Sequence, residues 1–173
     1  MTGFPNLFSP ITVGSRTFRN RIFSTGHMTC LLNDDLVPDE RFVAYHESRA
    51  RGGAGLIIME AARIHETGGH RNLDVSSDDA IPGLRRVGEA VQKHCCAIFG
   101  QLGHSGAYGV TTGDGSLGVS YAPSQAKSSR SHNISRELPL SLIHEYVAAY
   151  GSAGGRMKKA GLDGVEILAS HAL

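Results

Sequence analysis

The chain is 173 residues long, enough for one domain of ordinary size. Hydrophobic residues at 40% and charged residues at 19% point to a folded core, and a formal net charge of +1 gives no support to a nucleic-acid or anionic-membrane partner. Met1–Pro10 lacks the charged start and apolar run of a secretion leader, and no stretch approaches the roughly 18 apolar residues of a membrane span, so we expect a cytoplasmic protein whose three cysteines, Cys30, Cys95 and Cys96, are reduced.

Taken in chain order, the apolar runs alternate in kind. Arg21–Thr25 is a short run of strand type. Asp39–Arg51 has helical spacing, with Phe42, Val43, Tyr45 and Ala50 on one face and Gly52–Gly53 to stop it. Gly55–Glu60 is a continuous apolar run of strand length. Pro82–His94 reads as a helix, with Leu84, Val87 and Val91 in phase and the proline near its start. Cys96–Leu102 is a third strand. The segment Ser105–Leu140 is rich in Gly, Ser, Thr and His and is long for a strand-to-helix connection, which points to a lid or binding element. Ser141–Ala160 is the strongest helix: Ser141 as cap, a stripe of Ile143, Tyr146, Val147, Tyr150 and Met157, and Gly161 as stop. Gly164–Ala169 is a fourth strand.

The order β-α-β-α-β-α-β with near-continuous apolar strands predicts an α/β fold with a parallel sheet buried on both faces. A doubly wound open sheet and part of a (β/α)8 barrel both fit, and period and composition do not separate them.

Several local motif matches lack their structural context. Gly113–Gly118 fits a dinucleotide-binding glycine pattern but follows no strand and opens no helix. Gly103–Ala107 resembles a hydrolase nucleophile turn without its last glycine. His65, Glu66 and His70 have the wrong spacing for a zinc helix, so no metal site is expected. The sequon Asn133-Ile134-Ser135 has no secretion signal to support its use.

The polar residues of interest gather at the C-terminal ends of the four strands, where ligands bind in barrels and open sheets alike. They are Ser24, Thr25, Gly26, His27 and Met28 after the first, and Glu60, Ala61 and Ala62 after the second. Gln101 and His104 follow the third, and Ser170 and His171 the fourth. Gly26, Ala61 and Ala62 are small enough for a flat ring to lie against backbone, and Gln101 offers one acceptor and two donors, matching the edge of a flavin pyrimidine ring. Glu60 reads more readily as the buried partner of a basic residue than as a catalytic acid.

At these residues the sequence resembles the old-yellow-enzyme superfamily of FMN-dependent NADH:flavin oxidoreductases. Leu7–Ile11 followed by Arg19–Ile22 looks like that family's opening hairpin. Gly100–Ala107 resembles its third-strand signature, Ala122–Gln125 its Pro-Ser segment, and Ala160–Ile167 the approach to its fourth strand. Ala107 and His171 point to the trimethylamine-dehydrogenase and 2,4-dienoyl-CoA-reductase branch.

The resemblance implies that residues 1–173 form the N-terminal half of an FMN-binding TIM-barrel domain: a partial (β/α)8 barrel of four βα units with an N-terminal hairpin. It implies that Ser24, Thr25, Gly26 and Met28 border the flavin, that Ala61 lies beside it, and that Gln101 meets its pyrimidine edge. His171 would lie over the ring near a small-molecule substrate as the catalytic residue, while Leu168 replaces a hydrogen-bonding group found in relatives. Met28 stands where trimethylamine dehydrogenase carries its flavin-linking cysteine, and Cys30 comes two residues late, so non-covalent FMN is expected. The implied reaction is hydride transfer at the flavin N5, with an amine or an enoyl or enone substrate and NAD(P)H as a candidate donor. An iron–sulfur cluster and FAD would belong only to further domains. Barrel phosphate sites usually follow strands seven and eight, so the chain alone is expected to bind FMN weakly and to be inactive. Open strand edges lead us to expect self-association or a complementary half-barrel chain. The alternatives are a non-catalytic half-barrel subunit and a flavodoxin-like flavin-binding module.

Overall fold

Four parallel strands in sequential order form the centre of the computed structural model, which describes residues 3–69, 72–108, 116, 118–128 and 133–170. A short helix α1 (Pro5–Phe8) precedes an antiparallel hairpin of β1 (Ile11–Val13) and β2 (Arg16–Phe18). Then come β3 (Phe23–Ser24), α2 (Glu40–Arg51), β4 (Leu56–Arg63), β5 (Leu73–Asp74), α3 (Ala80–Gln92) and β6 (Ala97–Gly103). A small parallel pair, β7 (Tyr121–Ala122) and β8 (Arg136–Glu137), interrupts the long connection before α4 (Leu140–Lys159) and β9 (Gly164–Ile167). The sheet order is β3-β4-β6-β9, all parallel, with β5 adding to β4 beyond the end of β3.

This is the expected α/β alternation, and the order carries more information than the alternation did. Each strand lies beside the next in sequence, and α2 packs on α3 and α3 on α4, so consecutive crossovers share one face of the sheet. The reversal of strand order that defines a doubly wound sheet does not occur among the described strands.

Local chemistry explains the helix limits. Asp39 caps α2 by accepting from the backbone N–H groups of Arg41 and Phe42 at 2.9 and 3.1 Å. Gly161, with φ +87°, ends α4 where the chain must turn left-handed. Three expectations are corrected. Pro139, not Ser141, occupies the N-cap of α4, without a side-chain cap, and Ser141 lies in the first turn. The buried face of α4 is Tyr146, Ala153 and Met157, while Ile143 and Val147 are 42% and 67% exposed. The stripe read from sequence therefore spans two faces, of which the sheet covers one. On α2, His46 takes the core place expected for Tyr45. Its ring packs edge-on between Phe42 and Tyr45, and burial holds its pKa down at about 3, so it is a neutral core group.

The hairpin closes the N-terminal end of the sheet. Gly14, at φ +59°, makes the two-residue turn, and Phe18 tucks against Phe23 and Phe99 with ring centroids 5.1 and 6.2 Å away. Leu56 and Ala97 complete this small cluster. Beside it Arg19 reaches into the ends of two helices, donating to the carbonyls of Ala50, Ala54 and His94 at 2.7–3.1 Å. The main core lies on the other face, between the sheet and α2, α3 and α4, around Ile57, Met59, Ile98, Leu84 and Met157. Among the described residues no helix is long and apolar enough to cross a membrane. All three cysteines are free, Cys96 buried and Cys30 and Cys95 exposed.

Candidate active site

Side chains alternate across a strand, so paired residues on parallel strands share a face. Ile58, Phe99 and Gly164 form one lateral row on the face opposite the helices, and Ala61, Gln101 and Glu166 form the next row towards the strand ends. An irregularity in β4 makes this possible. Ile58 pairs with Phe99 and Ala61 with Gln101, so Met59 and Glu60 together oppose Gly100 alone. The extra residue resets the alternation: Met59 stays in the helix-facing core, and both Glu60 and Ala61 turn towards the other side.

That side holds a cavity of about 610 Å³. Thr25, Gly26, His27 and Met28 border it from beyond β3, Glu60 and Ala61 from β4, and Gln101 from β6. Asn72, Glu166 and residues 167–170 close the remaining sides. No Lys or Arg is among the described residues that line it. Gly26 and Gln101 meet directly: a Cβ on Gly26 would lie 2.9 Å from Gln101 Nε2 and 2.7 Å from the Met59 carbonyl oxygen. Gln101 donates from Nε2 to Glu166 Oε1 at 2.6 Å. Glu60, 2% exposed, accepts on Oε2 from the backbone N–H and hydroxyl of Thr29 at 2.7 and 2.5 Å. Its Oε1 is buried without a hydrogen-bond partner, so a bound molecule offering an N–H there would remove a desolvation cost.

The residues named from sequence divide accordingly. Thr25, Gly26, Met28, Ala61 and Gln101 share this cavity. Ser24 pairs with Ile57, a core residue under the helices, so its side chain faces away. Met28 lines the cavity, whereas Cys30 lies off it, exposed, with φ +56°. His27 lines the cavity and bonds through Nε2 to the Tyr45 hydroxyl. His171 falls outside the described residues, as does most of the Gly113–Gly118 motif. No described residue of 105–140 borders the cavity. Sequence reading missed Glu166 and Asn72. A carboxylate in the middle of the apolar run Gly164–Ile167 was the available signal for the first; Asn72 had none.

Some of the set-aside residues make local hydrogen bonds. Glu66–Gly68 is a single 3-10 turn, and no cluster of three or more metal-ligating side chains occurs among the described residues. Ser105 donates its hydroxyl to the Gly68 carbonyl at 2.7 Å. Asn133 donates its side-chain amide to the Gly118 carbonyl at 2.9 Å. Thr67 centres a polar bolt. Its Oγ1 lies 2.9 Å from both His65 Nδ1 and His104 Nε2, and 2.6 Å from the Tyr146 hydroxyl. Gly106 N–H donates to His104 Nδ1 at 3.0 Å, so Nε2 carries the proton and donates to Thr67. His65 passes the chain on to Glu145 at 2.9 Å.

Burial, aided by the neighbouring His65, depresses the His104 pKa from 6.5 to about 4. A depressed folded value means the unfolded chain binds the proton first as pH falls. The stability from neutral His104 is thus fully present above pH 6.5 and is lost as pH falls towards about 4. Thermal melts between pH 7 and 4 should show this decline, and His104→Gln should make it shallower, the remainder coming from His46; an equally steep decline in the variant would place the proton uptake elsewhere.

Residues 6–173 match the family described as NADH:flavin oxidoreductase / NADH oxidase. The chain is 38% identical over 166 residues to a metal reductase of Desulforamulus reducens, covering 95% of this chain and 24% of that protein. It is 34% identical over 177 residues to an NADH oxidase of Thermoanaerobacter brockii, covering 99% and 27%. The structure of morphinone reductase in complex with tetrahydroNAD superposes with a TM-score of 0.86 at 30% identity, covering 98% of this chain and 50% of that one. The chain thus spans a quarter to a half of the length of these relatives. It belongs to the NADH:flavin oxidoreductase / NADH oxidase family.

Proposed function

We propose that the cavity holds the isoalloxazine ring of non-covalently bound FMN, in the N-terminal half of a (β/α)8-barrel oxidoreductase domain. The observation that carries this reading is the meeting of Gly26 and Gln101 across β4, over a row in which Ala61, Gln101 and Glu166 face the same cavity. Gly26 lines the cavity, and its missing side chain lets the Thr25–Met28 segment sit directly against Gln101 and the Met59 carbonyl. Gln101 offers an amide to the ring edge, and the unpaired Glu60 Oε1 suits a ligand N–H. Sequential parallel strands with helices on one face, and side chains arranged in lateral rows, are the arrangement of a barrel wall.

Bound FMN supplies hydride chemistry at N5. The chain's own residues hold and orient the ring: Ala61 and Gly26 by close backbone approach, Met28 by apolar contact, and Gln101 by its amide. Ser24 contributes through its backbone, its side chain facing the helix-side core. We assign His171 to the substrate side of the ring, and an amine or an enoyl or enone to the substrate, with NAD(P)H as electron donor. The tetrahydroNAD bound to morphinone reductase supports that donor.

The cavity is neutral or acidic where described, with Glu60 and Glu166 and no Lys or Arg, so it offers a ring site without a phosphate site. The 173-residue chain is therefore expected to bind lumiflavin, which lacks the ribityl phosphate, within about threefold of its affinity for FMN. Fluorescence titration with both ligands tests this. Binding of neither would refute the ring assignment, and FMN binding tighter by about a hundredfold would mean that a phosphate site exists within these residues.

A further inference from the structure

Glu166 stands beside Gln101 in the same row and accepts its Nε2–H at 2.6 Å. An ionised carboxylate only accepts, so it must face the nitrogen end of the amide. The nitrogen is also the end nearest Gly26. Gln101 is 8% exposed, so its amide turns among fixed neighbours and not in bulk water. One N–H is therefore committed to Glu166, and the carbonyl Oε1 and the second N–H are left for a ligand.

We propose that Glu166 is a positioning residue that fixes the sense of the Gln101 amide and thereby selects a ligand edge presenting an imide N–H. The inference rests on the flavin reading and adds the group that sets its polarity. With the amide held this way, Oε1 would be free to accept from an imide N–H and the remaining N–H to donate to a neighbouring carbonyl. A flipped amide would set its NH2 against the ring N–H, two donors facing one another. A neutral carboxamide at 166 removes the constraint, because it can donate to Oε1 as readily as accept from Nε2.

The test compares lumiflavin with 3-methyllumiflavin, whose N3 carries no proton, by fluorescence titration of the full 173-residue chain. The wild-type chain should prefer lumiflavin by at least about tenfold, one charge-oriented hydrogen bond being worth that much. Glu166→Gln should bind lumiflavin more weakly and cut the preference below about threefold, and Glu166→Asp should restore part of it. An undiminished preference in Glu166→Gln would overturn the proposal while leaving the flavin reading intact; no binding of either ligand to wild type would end both. A second readout needs neither ligand nor a folded variant. In wild-type 15N–1H spectra the Gln101 side-chain amide should show one proton shifted downfield and slowed in exchange. Unshifted positions and fast exchange for both protons would refute the hydrogen bond.

Discussion

Replacing Arg19 with methionine is expected to destabilise the fold by about 3 kcal/mol or more, read as a fall in the urea midpoint at unchanged slope. The guanidinium spans the last turn of α2 at Ala50, the following loop at Ala54, and His94 just beyond α3. Carbonyls at helix C-termini lack intrahelical partners and carry the negative end of the helix dipole. One planar cation thus satisfies three acceptors and ties two helices to the hairpin. Methionine keeps much of the stem and none of the donors, so the carbonyls would lose charge-assisted bonds worth about 1.5–3 kcal/mol each, offset in part by water. Lysine should fall between, because an ammonium cannot reproduce the fork. A methionine variant within about 0.5 kcal/mol of wild type would show that solvent serves these carbonyls equally well.

The same region shows what could be read from the sequence and what could not. Arg19, Asn20 and Arg21 were visible only as a family pattern, because nothing in local spacing says that a loop arginine will meet residues 31, 35 and 75 positions away. The long elements were legible because their signals are periodic. Leu84, Val87 and Val91 repeat at helical spacing and are fully buried, and the runs around Ile57 and Ile98 are continuous because helices cover one face and the Phe18 cluster packs the other at the strand starts. Strand ends were less legible. The run Arg21–Thr25 yields only Phe23–Ser24 as strand, and its parity turns the Ser24 side chain away from the cavity. The cavity itself depends on the extra residue at Met59–Glu60, an insertion relative to a neighbouring strand that no single-strand pattern can report. Gln101 and Gly26 were legible as chemistry, one for its amide and one for its missing side chain. Glu166 was not legible because it sits within an apolar strand run, and its position opposite Gln101 follows only from the register.

Gly26→Ala offers the sharpest separation of site from scaffold. The backbone of Gly26 is not in the left-handed region, so alanine meets no conformational strain there. Its methyl would instead stand 2.7 Å from the Met59 carbonyl oxygen and 2.9 Å from Gln101 Nε2. The first neighbour is backbone of β4, flanked by a buried bulge and unable to retreat; the second is an amide held by Glu166. Relief must come from the Thr25–Met28 segment lifting away from β4 or from Gln101 leaving Glu166. Either movement alters the cavity, while the helix-facing core on the opposite side is untouched. The expected result is lumiflavin binding weaker by at least about tenfold, equivalent to roughly 1.4 kcal/mol, with a thermal midpoint only a few degrees lower. Gly14→Ala, in the distant hairpin turn at φ +59°, serves as the contrast: it should lower stability through backbone strain and leave ligand affinity unchanged in the folded fraction. Equal lumiflavin affinity in Gly26→Ala and wild type would mean that no ring lies against this segment, and the close approach of Gly26 to Gln101 would then be packing alone.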